Sequence, residues 1–224
     1  MENQDPDYYD HVNWALLRQI PAGASVVVEV GCGTGRVGEE YKKLNPGCAY
    51  YGIELSSKAA ALAAGRLDMV FCGTVESVDL GFLAGKIDCV VYGDVLEHLI
   101  DPWAVLKGHA DLLKPGGKVA ACIPNVLSWN VVFGLLRGQW TYTDHGQLDR
   151  THLRFFTLPT MQDLFAQAGL TVDNIGALHA PPGEADAFIE AMKPSLAALG
   201  INQEAFAQHT GISQYVLVGS RPGA

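Results

Sequence analysis

Apolar residues along this chain gather in short runs, and the stretches between them are amphipathic. "SVVVEV" (25–30) is β-branched and stops at Gly31, the pattern of a strand buried on both faces. "AYYGIEL" (49–55), "MVFCG" (69–73), "IDCVVYGD" (87–94) and "GKVAACIPN" (117–125) repeat that pattern. Helical patterns lie between them. "HVNWALLRQI" (11–20) is amphipathic and closed by Pro21 and Gly23, residues 35–44 end before "NPG", and "SSKAAALAAGRL" opens on a serine cap. "LIDPWAVLKGHADLLKPGG" (99–117) reads as a helix with a Pro-Gly-Gly stop.

Strands alternating with helices predict a parallel, doubly wound α/β sheet with right-handed crossovers. The C-terminal part departs from the alternation. "TVDNIGALHA" (171–180) reads as a strand, 182–200 and 202–209 as helices, and "SQYVLVGS" (213–220) as a final strand placed to form a hairpin with 171–178. Residues 126–157 do not alternate cleanly and hold Trp129, Trp140, Tyr142, His145 and His152. That stretch is too long for an ordinary crossover loop and is read as a lid. The expected organisation is one domain over 1–224, with a helical cap at 1–22 and the lid at 126–157.

Composition narrows the classes. With 49% hydrophobic and 17% charged residues, the 224-residue chain can bury one large core. Fifteen Lys and Arg against 24 Asp and Glu leave a net charge of −9 with no basic run, which argues against a nucleic-acid partner. The five cysteines form no CxxC pair, and four sit in or beside predicted strands as small buried hydrophobes, which points to a reducing compartment. The N-terminus "MENQDPDYYD" is acidic, and no apolar run approaches the ~20 residues of a membrane span. A soluble, cytoplasmic protein without a membrane partner is expected.

The candidate site opens at "VEVGCGTGRVG" (28–38). Read from Gly33, this is a literal GxGxxG dinucleotide fingerprint; read from Gly31, it is an acidic residue followed by glycines at alternate positions. Tight turning and close ligand approach both require glycine there. The loop alone leaves the ligand open. Glu29 tilts the choice, because a carboxylate aimed at the loop repels a pyrophosphate and attracts an ammonium or sulfonium. Glu54, closing the second strand, suits the ribose hydroxyls of any adenosine.

"EVGCGTG", "GIELS", "GTVE", "DCVVYGDVLEHLIDP" and "LLKPGGKVAACIPN" follow one another with ordinary spacing. Across residues 8–219 the chain thereby resembles the class I S-adenosylmethionine-dependent methyltransferases, among them ubiquinone-type and type 11, 12 and 23 methyltransferase domains. The resemblance implies a Rossmann-like seven-stranded sheet ordered 3-2-1-4-5-7-6, strand 7 antiparallel, and S-adenosyl-L-methionine as cofactor. It places Glu29 and the backbone of Gly31 and Gly33 at the methionine part and Glu54 at the ribose, with Cys32, Gly35 and Leu55 also among the cofactor-binding residues. Thr74 and Val75 would flank the adenine, and Gly93 and Asp94 would lie beside the sulfonium. Thr74 stands where many relatives carry Asp, so the hydrogen bond to the adenine is neutral there and weaker.

Methyl transfer needs alignment of donor and acceptor and, for a hydroxyl acceptor, a base. Asp94, Glu97 and His98 are spaced i, i+3, i+4, one face of a helical turn, and His152 lies in the lid. His98 and His152 are the candidate catalytic residues. Small-RNA 2′-O-methyltransferases carry a similar arrangement around a divalent cation; here a cation is the minor alternative and no metal ligand is assigned. Arg150 would hold an acidic acceptor or pair with Asp149, Trp129, Trp140 and Tyr142 would wall an apolar acceptor, and Tyr8 and Tyr9 would fold over the cofactor. His109, His179 and His209 read as surface or helix residues.

The expected activity is methyl transfer to a small-molecule oxygen. N-methylation or methylation of a sugar precursor is the alternative, because "GQLDRTHLRFFT" also resembles modules found near bacterial glycosyltransferases. Two other classes compete: an NAD(P)-dependent oxidoreductase, which lacks a Tyr-xxx-Lys pair here, and a non-catalytic cofactor-binding protein.

Overall fold

Alternating burial along β-branched strands builds two cores on one sheet. In β1 (Val26–Val30), Val28 and Val30 face one side and Val27 the other, and every one of them is buried. The computed structural model describes residues 11–181 and 183–223. Their order is α1 (Trp14–Leu17), β1, α2 (Arg36–Leu44), β2 (Ala49–Glu54), α3 (Ser57–Ala63), β3 (Met69–Cys72), β4 (Ile87–Gly93), α4 (Pro102–Leu112) and β5 (Leu113–Pro124). Then follow α5 (Trp129–Leu136), α6 (Leu158–Gln167), β6 (Thr171–His179), α7 (Glu184–Ala198), α8 (Gln203–Thr210) and β7 (Ile212–Ser220).

The seven strands form one sheet in the order β3-β2-β1-β4-β5-β7-β6. β1 pairs in parallel with β2 and β4, and β7 runs antiparallel to both β5 and β6. The Rossmann-like order expected from the resemblance is therefore the observed one. Strand order reverses between β1 and β4, so a crevice opens beyond their carboxyl ends.

Several boundaries differ from the sequence reading. The first helix is a single turn capped by the Asn13 side chain, and the chain leaves it before Pro21. The Pro-Gly-Gly stop is not helical: α4 ends at Leu112, and Leu113 already pairs with Ile87 of β4. The pairing of β6 with β7 across α7 and α8, by contrast, is the expected one. α6 has no counterpart in the sequence reading. Its Thr157 cap, Pro in the first turn and buried Met161, Leu164 and Phe165 make it an ordinary amphipathic helix. Four cysteines are buried and Cys72 is exposed, all five as free thiols.

Candidate active site

Beyond β1 the chain turns through Gly31, Gly33 and Gly35 with φ of 68°, 54° and 82°, a region that costs other L-residues ~1–2 kcal/mol each. Gly31 has a second reason: a Cβ there would lie 2.4 Å from Val95 Cγ2. Glu54 fixes the loop from β2. Its Oε2 accepts from Gly33 N at 2.9 Å and its Oε1 from Ser56 N at 2.7 Å, so the carboxylate serves the loop's backbone first. Gly31 N and Cys32 N both donate to Ile53 O. Cys32 is buried, and its Sγ would meet a Cβ on Gly52 at 2.5 Å.

The loop borders a cavity of about 730 Å³, large enough for a nucleoside together with a small second molecule. Glu29, Gly31, Cys32, Gly33, Glu54 and Leu55 line one end. Thr74 and Val75 line it from the end of β3, and Gly93 and Asp94 from the end of β4. Gly35 stands outside the lining and packs on Ala63 and Leu67. Glu29 is 4% exposed and accepts from Tyr50 Oη at 3.0 Å. Burial pushes its carboxyl up to about 8, against the opposing pull of the Tyr50 hydrogen bond. An acid held neutral in the free cavity is ready to ionise beside an incoming cation.

Asp94 is the one non-glycine with positive φ among the described residues, and it accepts a hydrogen bond from Gln214 Nε2. Burial raises its pKa, while the Gln214 bond opposes the shift. Asp94 precedes the 3₁₀ turn Leu96–His98, which is too tight to be the expected helical face.

From this turn Glu97 enters the cavity only 1% exposed, with no hydrogen-bond partner on either carboxyl oxygen among the described residues. Burial and the nearby Asp94 charge hold its pKa well above the ordinary carboxylate range. The Glu97 carbonyl accepts from Leu153 N and Arg154 N at 2.8 and 3.0 Å, which ties segment 126–157 to the turn. His152 is thereby brought against His98, ring centroids 4.7 Å apart and edge to face. His152 Nε2 lies 3.9 Å from Glu97 Oε1, and Nδ1 lies 3.1 Å from Gln147 O. A carbonyl only accepts, so Nδ1 carries the proton and Nε2 a lone pair. Burial lowers the pKa of both histidines, which are neutral near pH 7.

One ligand atom each from Glu97, His98 and His152 lies within 4.8 Å of the others. Asp94, grouped with them in the sequence, is engaged by Gln214 instead. Two other expectations fall. Arg150 pairs with Asp144 at 2.7 Å, on the surface, not with Asp149. Trp129, Trp140 and Tyr142 do not line the cavity: Trp129 packs on Phe133 and Phe188, and Trp140 on Phe155. His109, read as a surface or helix residue, is a residue of α4, buried there and hydrogen-bonded to Tyr92. Tyr8 and Tyr9 lie outside the described residues.

His11, Gln147, Asp149, Thr151, Ser213 and Gln214 line the cavity without having been singled out for that place. Gln214 could have been found from topology, because it opens β7 opposite Pro124 at the carboxyl end of β5.

Comparison with known proteins agrees with this geometry. Residues 7–175 match the family profile described as "Methyltransferase domain". A stretch of 115 residues is 38% identical to a ubiquinone biosynthesis O-methyltransferase of Xanthomonas axonopodis pv. citri, spanning 48% of this chain but only 46% of that protein. The Acinetobacter baumannii enzyme of the same name is 26% identical over 180 residues, 76% of this chain and 74% of its own. A SAM dependent methyltransferase from Archaeoglobus fulgidus superposes with a TM-score of 0.63 at 17% identity, over 92% of this chain and 91% of that one, a likeness of fold. With its glycine loop, buried acid and sheet order, the chain belongs to the methyltransferase-domain family of class I S-adenosylmethionine-dependent methyltransferases.

Proposed function

We propose that this chain transfers a methyl group from S-adenosylmethionine to a hydroxyl oxygen of a small molecule, with His98 as general base and segment 126–157 as the lid over the acceptor. The observation that carries the reading is the junction of two chemistries in one cavity: the glycine loop with Glu29 at one end, and the neutral pair His98 and His152 at the other. The positive-φ glycines and the buried acid fit the cofactor, which when bound supplies a methyl carbon already activated by its sulfonium.

The protein's own contribution is alignment and a proton acceptor. His98 takes the acceptor's hydroxyl proton and leaves an oxygen nucleophile in the cavity. Glu97 and His152 bound the space in which that hydroxyl sits, and Leu153 and Arg154 hold the lid to the turn through the Glu97 carbonyl. The similarity to ubiquinone biosynthesis O-methyltransferases supports oxygen as the methylated atom. A net charge of −9 favours a small molecule over a nucleic acid. Five free thiols support a cytoplasmic setting, and no helix among the described residues is long and apolar enough to cross a membrane.

A second reading rests on Glu97. A buried carboxyl group with no hydrogen-bond partner at either oxygen among the described residues is costly, and a divalent cation shared with His98 and His152 removes that cost. When bound there, such an ion supplies Lewis acidity. Labelled S-adenosylmethionine offered with phenols, catechols and hydroxylated sugars, and with their amine counterparts, tests the main reading. Label is expected on hydroxyl acceptors. Transfer to amines alone would overturn the choice of oxygen, and turnover abolished by a chelator and restored by Mg²⁺, Mn²⁺ or Zn²⁺ would favour the second reading.

A further inference from the structure

A base must present a lone pair, and an imidazole presents it on whichever nitrogen its neighbours leave unprotonated. Among the described residues two atoms meet His98 Nδ1, both from one residue: Thr151 O at 3.2 Å and Thr151 Oγ at 3.1 Å. The carbonyl only accepts. The hydroxyl can donate or accept, so what holds its proton decides the tautomer.

Asp149 decides it. Its Oδ1 accepts the Thr151 backbone N–H at 2.7 Å, which marks that oxygen as an acceptor, and the same oxygen lies 2.6 Å from Thr151 Oγ. The hydroxyl proton therefore points to Asp149, and a lone pair of Oγ is left to face His98. With two acceptors against it, Nδ1 carries the proton and Nε2 the lone pair. Asp149 is 4% exposed and its own N–H is bonded to Gly146 O, so the carboxylate is seated by its own turn. None of these bonds belongs to a helix or strand.

We propose that Asp149 and Thr151 are positioning residues that lock His98 in its Nδ1–H tautomer, so that Nε2 is the base. This rests on the reading of His98 as base. It gives the "LDRTH" stretch a part that differs from substrate contact: Asp149 acts on Thr151, and Thr151 on His98.

The test is long-range ¹H–¹⁵N spectroscopy of the full chain at pH 8, without acceptor, with His98 assigned by its absence in His98→Gln. Wild type is expected to show the Nδ1–H form, and an Nε2–H form overturns the proposal without any variant having to fold. In Asp149→Ala the Thr151 hydroxyl is released to donate to Nδ1. The Nε2–H population should rise, and kcat should fall on the order of tenfold to a hundredfold, a share of what a general base contributes, with KM for S-adenosylmethionine unchanged. Adding Thr151→Val removes the competing donor, so the double variant should return to Nδ1–H and recover part of kcat. A purely structural role predicts that the double variant is worse than the single one with the tautomer unmoved, and that result overturns the proposal. Failure of the reading of His98 as base would show elsewhere, as turnover retained in His98→Gln.

Discussion

The two ends of the cavity are built on different principles. At the glycine loop the requirements are backbone ones: positive φ at Gly31, Gly33 and Gly35, and a carboxylate on β2 that ties down Gly33 N. At the other end they are long-range side-chain ones, with His98 on a turn after β4 and Thr151 and His152 more than fifty residues further along. The first kind is local and writes itself into a short motif. The second exists only once segment 126–157 has been laid on the turn by the Glu97 carbonyl.

If the division is real, the two ends can be damaged separately. The largest effect is expected from His98→Gln. It should lower kcat by ~10²–10⁴-fold, the usual share of a general base, and leave cofactor affinity untouched. Steady-state kinetics beside cofactor titrations decide the matter, and equal losses in both would erase the distinction between the ends.

Gly31→Ala strikes the other end. Left-handed strain plus a Cβ 2.4 Å from Val95 Cγ2 should cost about 3 kcal/mol of stability, read from urea unfolding. Adding Val95→Ala should return the packing part and leave the strain, while no recovery at all would mean that the loop's conformation alone matters.

A third, smaller effect separates a working imidazole from a merely buried one. His109 lies outside the cavity lining, bonded to Tyr92, and burial lowers its pKa to about 4. Its folded value is below the unfolded ~6.5, so stability is full above pH 6.5, falls as the unfolded chain protonates, and levels off below 4. Between pH 7 and pH 5 this amounts to about 2 kcal/mol, which His109→Gln should abolish without changing turnover. A loss of turnover in that variant would make His109 part of the chemistry.

The same contrast explains what the sequence makes legible. Val26–Val30, Ala49–Glu54 and Ile87–Gly93 are continuous apolar strands ended by glycine or acid, and the glycine spacing depends on local backbone alone, so both could be read directly. Helix α6 carried a cap, a proline and a helical period and was legible in the same terms. Gln214 was legible only through the implied sheet order, and the Asp149–Thr151–His98 chain not at all, because it depends on where segment 126–157 is laid against the turn after β4. Aromatic residues misled for a related reason. Trp129 and Trp140 pack in the same way whether they meet substrate or Phe188 and Phe155.

The most direct measurement is a calorimetric titration of S-adenosylmethionine at pH 7 in buffers of different ionisation enthalpy, on wild type, His98→Gln and Glu29→Gln. Free Glu29 is held neutral by burial, at about 8, and a bound cation demands its carboxylate form. Wild type and His98→Gln should therefore bind equally and each release about one proton, while Glu29→Gln binds weakly and releases none. Absence of binding, binding without proton release, or weakened binding in His98→Gln would contradict a cavity whose cofactor end and chemical end are separate.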